Sequence, residues 1–397
     1  MLGGGLRKLG VEEEFHLIDV VSRRLVPRAP DLLARLPNDV YVEELQRCVV
    51  EVNSGVCSDL AALRSDLVWH RTLLVDAAAD LGVGVAAAGA VPLAVPAEMQ
   101  VTDTPRYRRM LADYQLLARE QLICGTQVHV DLPDRDEAVR VATRVAPYLP
   151  ILLALSASSP FWADGSDTGY ASVRTLVWLR WPTTGPAAPV SSAAAYDALI
   201  GDLVSSGVIS DPGMAYFDLR PSTRWPTLEL RVCDSCPCVD TIVLIAGLFR
   251  ALVEREVAGL HAGIPALEIS STLARAASWR AARSGLEGEL IDVERAAPRP
   301  AGEMVDRLLR VLRPHLEDAG DWGTVSELAA GALRAGTSAS RQRRALRRRG
   351  RLVDVVDLLL AETAGRMSPI PGDDDPYARR PHGHPVVEAA ANLGSRA

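Results

Sequence analysis

The sequence predicts a mixed fold of strands and helices, α/β or α+β, built as one large domain or two modest ones. At 397 residues and 48% hydrophobic, the chain can bury a large core. Residues 10–19, 125–132 and 216–234 contain alternating polar and apolar side chains, the signature of strands with one distinct polar face. Residues 58–81 instead space their apolar side chains as a helix does, with Ser58 and Asp59 placed to cap it. The net charge of −7 is mild, so nothing global argues for nucleic acid or a membrane surface. Residues 1–8 have no apolar core of signal-peptide length after them, and the apolar runs read as interrupted too early to span a bilayer; residues 241–249, for example, end at Arg250. A cytoplasmic location is therefore expected, with the six scattered cysteines as reduced thiols.

The first strand is acidic where a strand is ordinarily apolar. Its alternation points Glu12, Glu14 and His16 one way and Glu13, Phe15 and Leu17 the other. Two carboxylates one strand step apart repel unless a cation lies between them, which suits a divalent metal; a solvated helix N-terminus is the competing reading. Residues 26–38 read as a helix-bearing connection. Within residues 41–53, the apolar β-rich run 49–52 carries Glu51 as its single charge, which needs a metal, an arginine or solvent as its partner. On the 58–81 helix, His70 reads as a surface residue. Residues 82–91 are small and apolar, fitting a buried strand, and no phosphate-binding glycine loop occurs. Arg106, Arg108 and Arg109 open the next helix and read as a solvated face, with presentation of cations to a carboxylate as the alternative.

The second informative stretch alternates so that Gln127, His129 and Asp131 share a face, where an imidazole can ligate metal or donate to phosphate. Residues 138–159 read as an apolar helical region broken at Pro147 and Pro150. Arg174 and Arg180 are candidates for an anionic ligand or simply lie on an exposed strand face. In the third stretch Asp218 and Arg220 alternate on one strand, residues 221–226 turn, and Glu229, Arg231 and Cys233 alternate on the return. Glu229 on a metal with Arg231 on bridged phosphates is one reading, a plain ion pair the other. Cys124 and Cys233 read as packed thiols, and Cys233, Cys236 and Cys238 lack the further ligands a zinc site needs. Residues 241–292 read as largely helical, the basic run 341–351 as a solvated helix face with phosphate contact from one or two arginines as the alternative, and residues 367–397 as a flexible tail.

Gly10-Val-Glu-Glu-Glu-Phe, Gly125-Thr-Gln-Val-His-Val, Arg220-Pro-Ser with Thr227-Leu-Glu-Leu-Arg-Val-Cys-Asp, and Ser340-Arg-Gln-Arg with residues 353–363 occur in one order. Together they resemble the bacterial glutamate-cysteine ligase type 2 family, the carboxylate-amine ligases, over residues 9–365. The resemblance implies an α+β, glutamine-synthetase-like domain over residues 1–366, with a curved, mostly antiparallel sheet forming an active-site funnel and helices packed outside. It also implies ATP and magnesium as cofactors, with Glu12, Glu14, Glu51 and Glu229 as metal ligands. Gln127 and His129 fall beside the nucleotide, Arg231 neutralises the phosphoryl group, and Arg220 is a candidate for phosphate or a substrate carboxylate. Family members often carry an aromatic residue where Ser284 stands, which leaves the local pocket shape open.

The implied reaction is ATP-dependent amide formation. A carboxylate is a poor electrophile, so ATP first converts it to an acyl phosphate, which an amine then attacks; positioning and charge neutralisation supply the catalysis. Glutamate with an amine such as cysteine are the implied substrates, with no nucleic acid or membrane partner. A homodimer would be compatible with an exposed sheet edge. A non-catalytic nucleotide- or amino-acid-binding protein on the same fold, a ligase for another acid and amine, and a phosphotransferase stopping at the phosphorylated acid are the alternatives.

Overall fold

The computed structural model describes residues 5–187 and 189–367, so nearly all of the expected C-terminal tail lies outside the described residues. Its centre is β1 (Leu9–Asp19), the acidic stretch, which is a strand and not a helix N-terminus. In strand order the main sheet runs β2 (Tyr41–Glu43), β3 (Val49–Asn53), β1, β5 (Gly125–Asp131), β7 (Thr227–Asp234) and β6 (Leu219–Pro221), with β4 (Val83–Ala86) also on β1. Every pairing is antiparallel. At eleven residues, β1 is long enough to carry several neighbours. One edge takes β3 across Glu12 to His16, while the other takes β5 across Leu9 to Glu13 and β4 across His16 to Asp19.

The period-two pleat separates the two faces of the sheet. Leu9, Val11, Val128, Val130, Leu228, Leu230 and Val232 point to one side and form the main core with the helices Val239–His261, Arg135–Val145 and Leu149–Ser156. Farther along the same side, Phe15 and Leu17 join Val50, Val52, Val83 and Val85 against Leu74 and Ala78 of the helix Leu60–Ala79. Glu13 shares this apolar side and is buried with Arg71, which donates to its Oε1 from Nε at 3.1 Å and from Nη2 at 2.5 Å. The remaining Arg71 donors reach the carbonyls of Cys236 and Pro237, so the buried pair ties β1 to the start of the Val239–His261 helix.

The structure corrects several sequence expectations. Residues 135–156 are long and apolar enough to cross a membrane by length and composition, contrary to the reading that the longest apolar runs are interrupted too early; 72% of the apolar window within the stretch is buried inside the protein. The break expected at Pro147 and Pro150 is present, as a 3-10 turn, Ala146–Tyr148, between the helices Arg135–Val145 and Leu149–Ser156. Arg174 lies on a short helix, Val173–Trp178, rather than a strand. Residues 241–292 do not stay helical, because Glu289–Asp292 forms a hairpin with Ala297–Pro300. The basic run forms the helix Ser338–Arg349, yet its Arg341 is not solvated, being paired at 2.7 Å with the buried carboxylate of Glu362.

Candidate active site

The polar face of the sheet lines a cavity of about 700 Å³, a size suited to small-molecule ligands. Five strands deliver its side chains in register. Glu14 lies directly across from Glu51 on β3, Glu12 across from Gln127 on β5, and Glu229 on β7 pairs with both His129 on β5 and Arg220 on β6. Like charges directly opposed on an antiparallel pair repel. The Glu14–Glu51 pairing therefore stores an electrostatic cost that a cation would relieve.

Two groups of ligand atoms result. Glu12, His129 and Glu229 bring one donor atom each within 4.8 Å of one another, and Glu14, Glu44 and Glu51 do the same. The residues fit divalent cations on their own chemistry. Thr227 Oγ1 holds His129 Nδ1 at 2.8 Å, which leaves the buried Nε2 facing Glu12 Oε1 at 3.2 Å with no hydrogen-bond partner. Glu14 is oriented rather than neutralised, accepting from the backbone N–H of Gly125 at 2.6 Å and from Gln127 Nε2 at 3.1 Å. Burial, with Glu14 alongside, pushes the Glu44 carboxyl up to about 7; burial and the charges of Glu12, Glu44 and Glu14 raise Glu51 well above the usual range.

Glu229 sits in the opposite environment. Burial alone would raise it, but the guanidinium groups of Arg231 and Arg220, with His129 nearby, hold it down at about 2. Arg220 grips both of its oxygens, Nε to Oε2 at 3.0 Å and Nη2 to Oε1 at 3.2 Å, and gives Nη1 to the carbonyls of Gly213 and Ala215. Arg231 also bonds Glu229, but its buried Nε has no partner, and its charge is stabilised by Glu229 and Glu12 against the cost of burial. The site is thus an acidic floor beside a fixed cation.

All eight candidate residues, Glu12, Glu14, Glu51, Gln127, His129, Arg220, Glu229 and Arg231, border this region, with His129 in the ligand group just described. Glu44 was not singled out from sequence. It stands one residue past the end of β2, where alternation no longer fixes a face, and its only signal was the paired Glu43-Glu44. His16, although on the same strand face as Glu12 and Glu14, is fully buried away from both ligand groups, and burial lowers it to about 4. Arg106, read as solvated, borders the cavity and pairs with Asp211 at 3.2 Å. All six cysteines are free and buried, none belongs to a metal-ligating group among the described residues, and burial pushes Cys233 up to about 12, far from a reactive thiolate.

A sequence model of glutamate-cysteine ligase family 2 matches residues 8–358. A protein of Rhodococcus jostii (strain RHA1) named "Putative glutamate--cysteine ligase 2-3" is 72% identical over 96% of this chain, which spans only 48% of that relative. One of Mycolicibacterium smegmatis (strain ATCC 700084 / mc(2)155), "Putative glutamate--cysteine ligase 2-2", is 67% identical with 90% of each chain covered. Among solved structures, the glutamate-cysteine ligase of Francisella tularensis in complex with AMP superposes with a TM-score of 0.68 over 93% of this chain and 91% of its own, at 12% identity. The bifunctional glutathione synthetase of Pasteurella multocida gives 0.65 over 91% of this chain and 52% of its own, at 14% identity. At such identities the two structures establish a shared fold, here an α+β one with an antiparallel sheet and packed helices. With the family model spanning most of its length and relatives above two-thirds identity, the chain belongs to glutamate-cysteine ligase family 2.

Proposed function

We propose that this protein is an ATP- and magnesium-dependent carboxylate-amine ligase that forms a γ-glutamyl amide, with residues 1–366 acting as one catalytic unit. The observation that supports it most is that two ligand groups, Glu12–His129–Glu229 and Glu14–Glu44–Glu51, converge beside Arg231 on the polar face of the sheet. On this reading those residues hold magnesium, which takes oxygen-rich ligand sets and, when bound, neutralises phosphate charge. The family and the AMP bound by the Francisella structure support nucleotide use.

The chain's own residues then have distinct tasks. Gln127 and the Gly125 N–H fix the Glu14 carboxylate, and Thr227 engages His129 Nδ1 and leaves Nε2 as the free ligand. Arg220 fixes Glu229 from behind. Arg231, with an unpaired Nε, faces the charge that develops as the phosphoryl group passes from ATP to the substrate carboxylate. The carboxylate oxygen attacks the γ-phosphorus and ADP leaves; the amine nitrogen then attacks the acyl carbon, phosphate leaves, and a proton is released. No nucleophilic side chain is required.

The test is ADP release by the purified protein with ATP, magnesium and glutamate across a panel of amines that includes cysteine, with products identified by mass. A γ-glutamyl product that needs both acid and amine supports the ligase. ADP release with glutamate alone would make it a phosphotransferase, and nucleotide binding without ADP release from any pair would leave a binding protein.

A further inference from the structure

Next to the acidic site lies a second cavity of about 420 Å³, and Arg174 and Trp178 form the wall between the two. Arg174 extends over the end of β7 toward β5. It lies so close to Gly125 that a Cβ there would collide with its Nη2. Its relative exposure is 4%, yet among the described residues no carboxylate stands at ion-pair distance from it: Nη1 and Nη2 reach only the carbonyls of Val232 and Arg231, both at 3.3 Å, Nε has no hydrogen-bond partner, and the buried Asp234 carboxylate, which feels its charge, is occupied by Ser158, Ser159 and Ser172. A guanidinium so buried with no counter-ion in direct contact is costly unless a ligand supplies one.

Asp218 lines the same cavity with 6% exposure, and among the described residues its carboxylate takes part in no hydrogen bond or ion pair. It feels the charge of Arg174 but stands beyond ion-pair distance from it. The cavity therefore holds a buried cation and a buried anion that do not satisfy each other. The indoles of Trp178 and Trp279 also border it, and aromatic faces attract ammonium groups. A nucleotide phosphate would answer Arg174 but leave Asp218 unpaired and repelled.

We propose that this second cavity is an α-amino acid subsite, in which Arg174 receives the α-carboxylate and Asp218 the α-ammonium of a substrate whose remaining atoms pass Trp178 into the acidic site. The proposal rests on the ligase reading for its place in the reaction, but not for binding. Two sources share the zwitterionic chemistry, the acid that is activated and the amine that accepts it. An acid held by its α-groups leaves its side-chain carboxylate to reach the site; for an amine such as cysteine the held α-nitrogen is itself the nucleophile, so it would have to pass a proton to Asp218 and attack an acyl phosphate brought to the wall at Trp178.

Calorimetric binding to the full chain, with magnesium and a non-hydrolysable ATP analogue present, separates these cases. One ligand series is glutamate, glutarate without the ammonium, and 4-aminobutyrate without the α-carboxylate; the other is cysteine, 3-mercaptopropionate and cysteamine. In the wild type each truncation is expected to weaken binding at least about tenfold, the scale of a hydrogen bond to a charged group. In Asp218→Asn the intact amino acid should weaken similarly while loss of the ammonium costs nothing further, and Arg174→Gln should do the same for the carboxylate. The series that shows this coupling names the substrate. Equal weakening of all three ligands, or none, in a variant with wild-type circular dichroism overturns the proposal. So does a wild type that binds neither amino acid more tightly than both of its truncated forms, a result independent of how the variants fold. Coupling without turnover keeps the subsite and removes the ligase reading; turnover without coupling does the reverse.

Discussion

Glu229 does two jobs, and its substitution separates poorly into one effect. It belongs to a ligand group and is also the carboxylate partner of Arg220 and Arg231, both largely buried. Glu229→Gln should abolish turnover but also lower stability, since removing one partner of a buried pair costs about 3–5 kcal/mol. Among the described residues Glu12 makes no contact with a buried arginine at ion-pair distance, only the one to His129. Glu12→Gln should therefore remove turnover and weaken the magnesium dependence of ADP release while leaving the urea midpoint close to wild type; a variant with unchanged turnover would take Glu12 out of the metal site. Arg231→Lys should lower kcat at least about a hundredfold, the scale of losing one preorganised electrostatic contact, because a point charge cannot both hold Glu229 and present a second donor. Steady-state rates with saturating ATP test this directly.

At the scale of elements, β1 is held to the helical layer by the Glu13–Arg71 pair, with side-chain exposures of 1% and 4%. Arg71 keeps two backbone carbonyls when its carboxylate is removed, whereas Glu13 keeps nothing when Arg71 is removed. Arg71→Met is therefore expected to destabilise by about 3–5 kcal/mol and Glu13→Gln by less, measured as shifts of the denaturation midpoint at unchanged slope. Alternation made Glu13 legible as facing away from Glu12 and Glu14, but only the packing of a helix from 58 residues farther along the chain showed that it faces an arginine. The same limit applies to Arg341, whose run of arginines looks uniformly solvated until the helix Leu352–Thr363 brings Glu362 against it.

For the whole molecule, the opposed carboxylates predict how stability varies with pH. Glu44 ordinarily titrates near 4.5 and is held at about 7 in the fold, and Glu51 moves in the same direction. Below about pH 4.5 both states are protonated and the fold bears no penalty. As pH rises through about 7 the folded protein must give up protons it prefers to keep, so this stability is lost. Glu229, held at about 2, acts with the other sign, its contribution present above about 4.5 and lost as pH falls toward 2. In EDTA the melting temperature should therefore decline between about pH 5 and 7, and the rise produced by magnesium should grow over that interval. A magnesium effect that stays constant with pH would argue against cations between these carboxylates.

The sequence by itself determined which side chains share a strand face. A period of two is a local property of an extended chain, so Glu12 with Glu14, Gln127 with His129, and Glu229 with Arg231 were legible residue by residue, and the order of these motifs made the family legible too. Only the tertiary structure decided how those faces meet. Placing Glu14 against Glu51 and His129 against Glu229 is a matter of register between strands far apart in the chain, which no local pattern encodes. Glu44 and Arg174 show the same division from the other side. One follows a three-residue strand and the other rides a six-residue helix, so neither has a periodic neighbourhood to fix its direction, and long-range packing alone sets what each side chain faces.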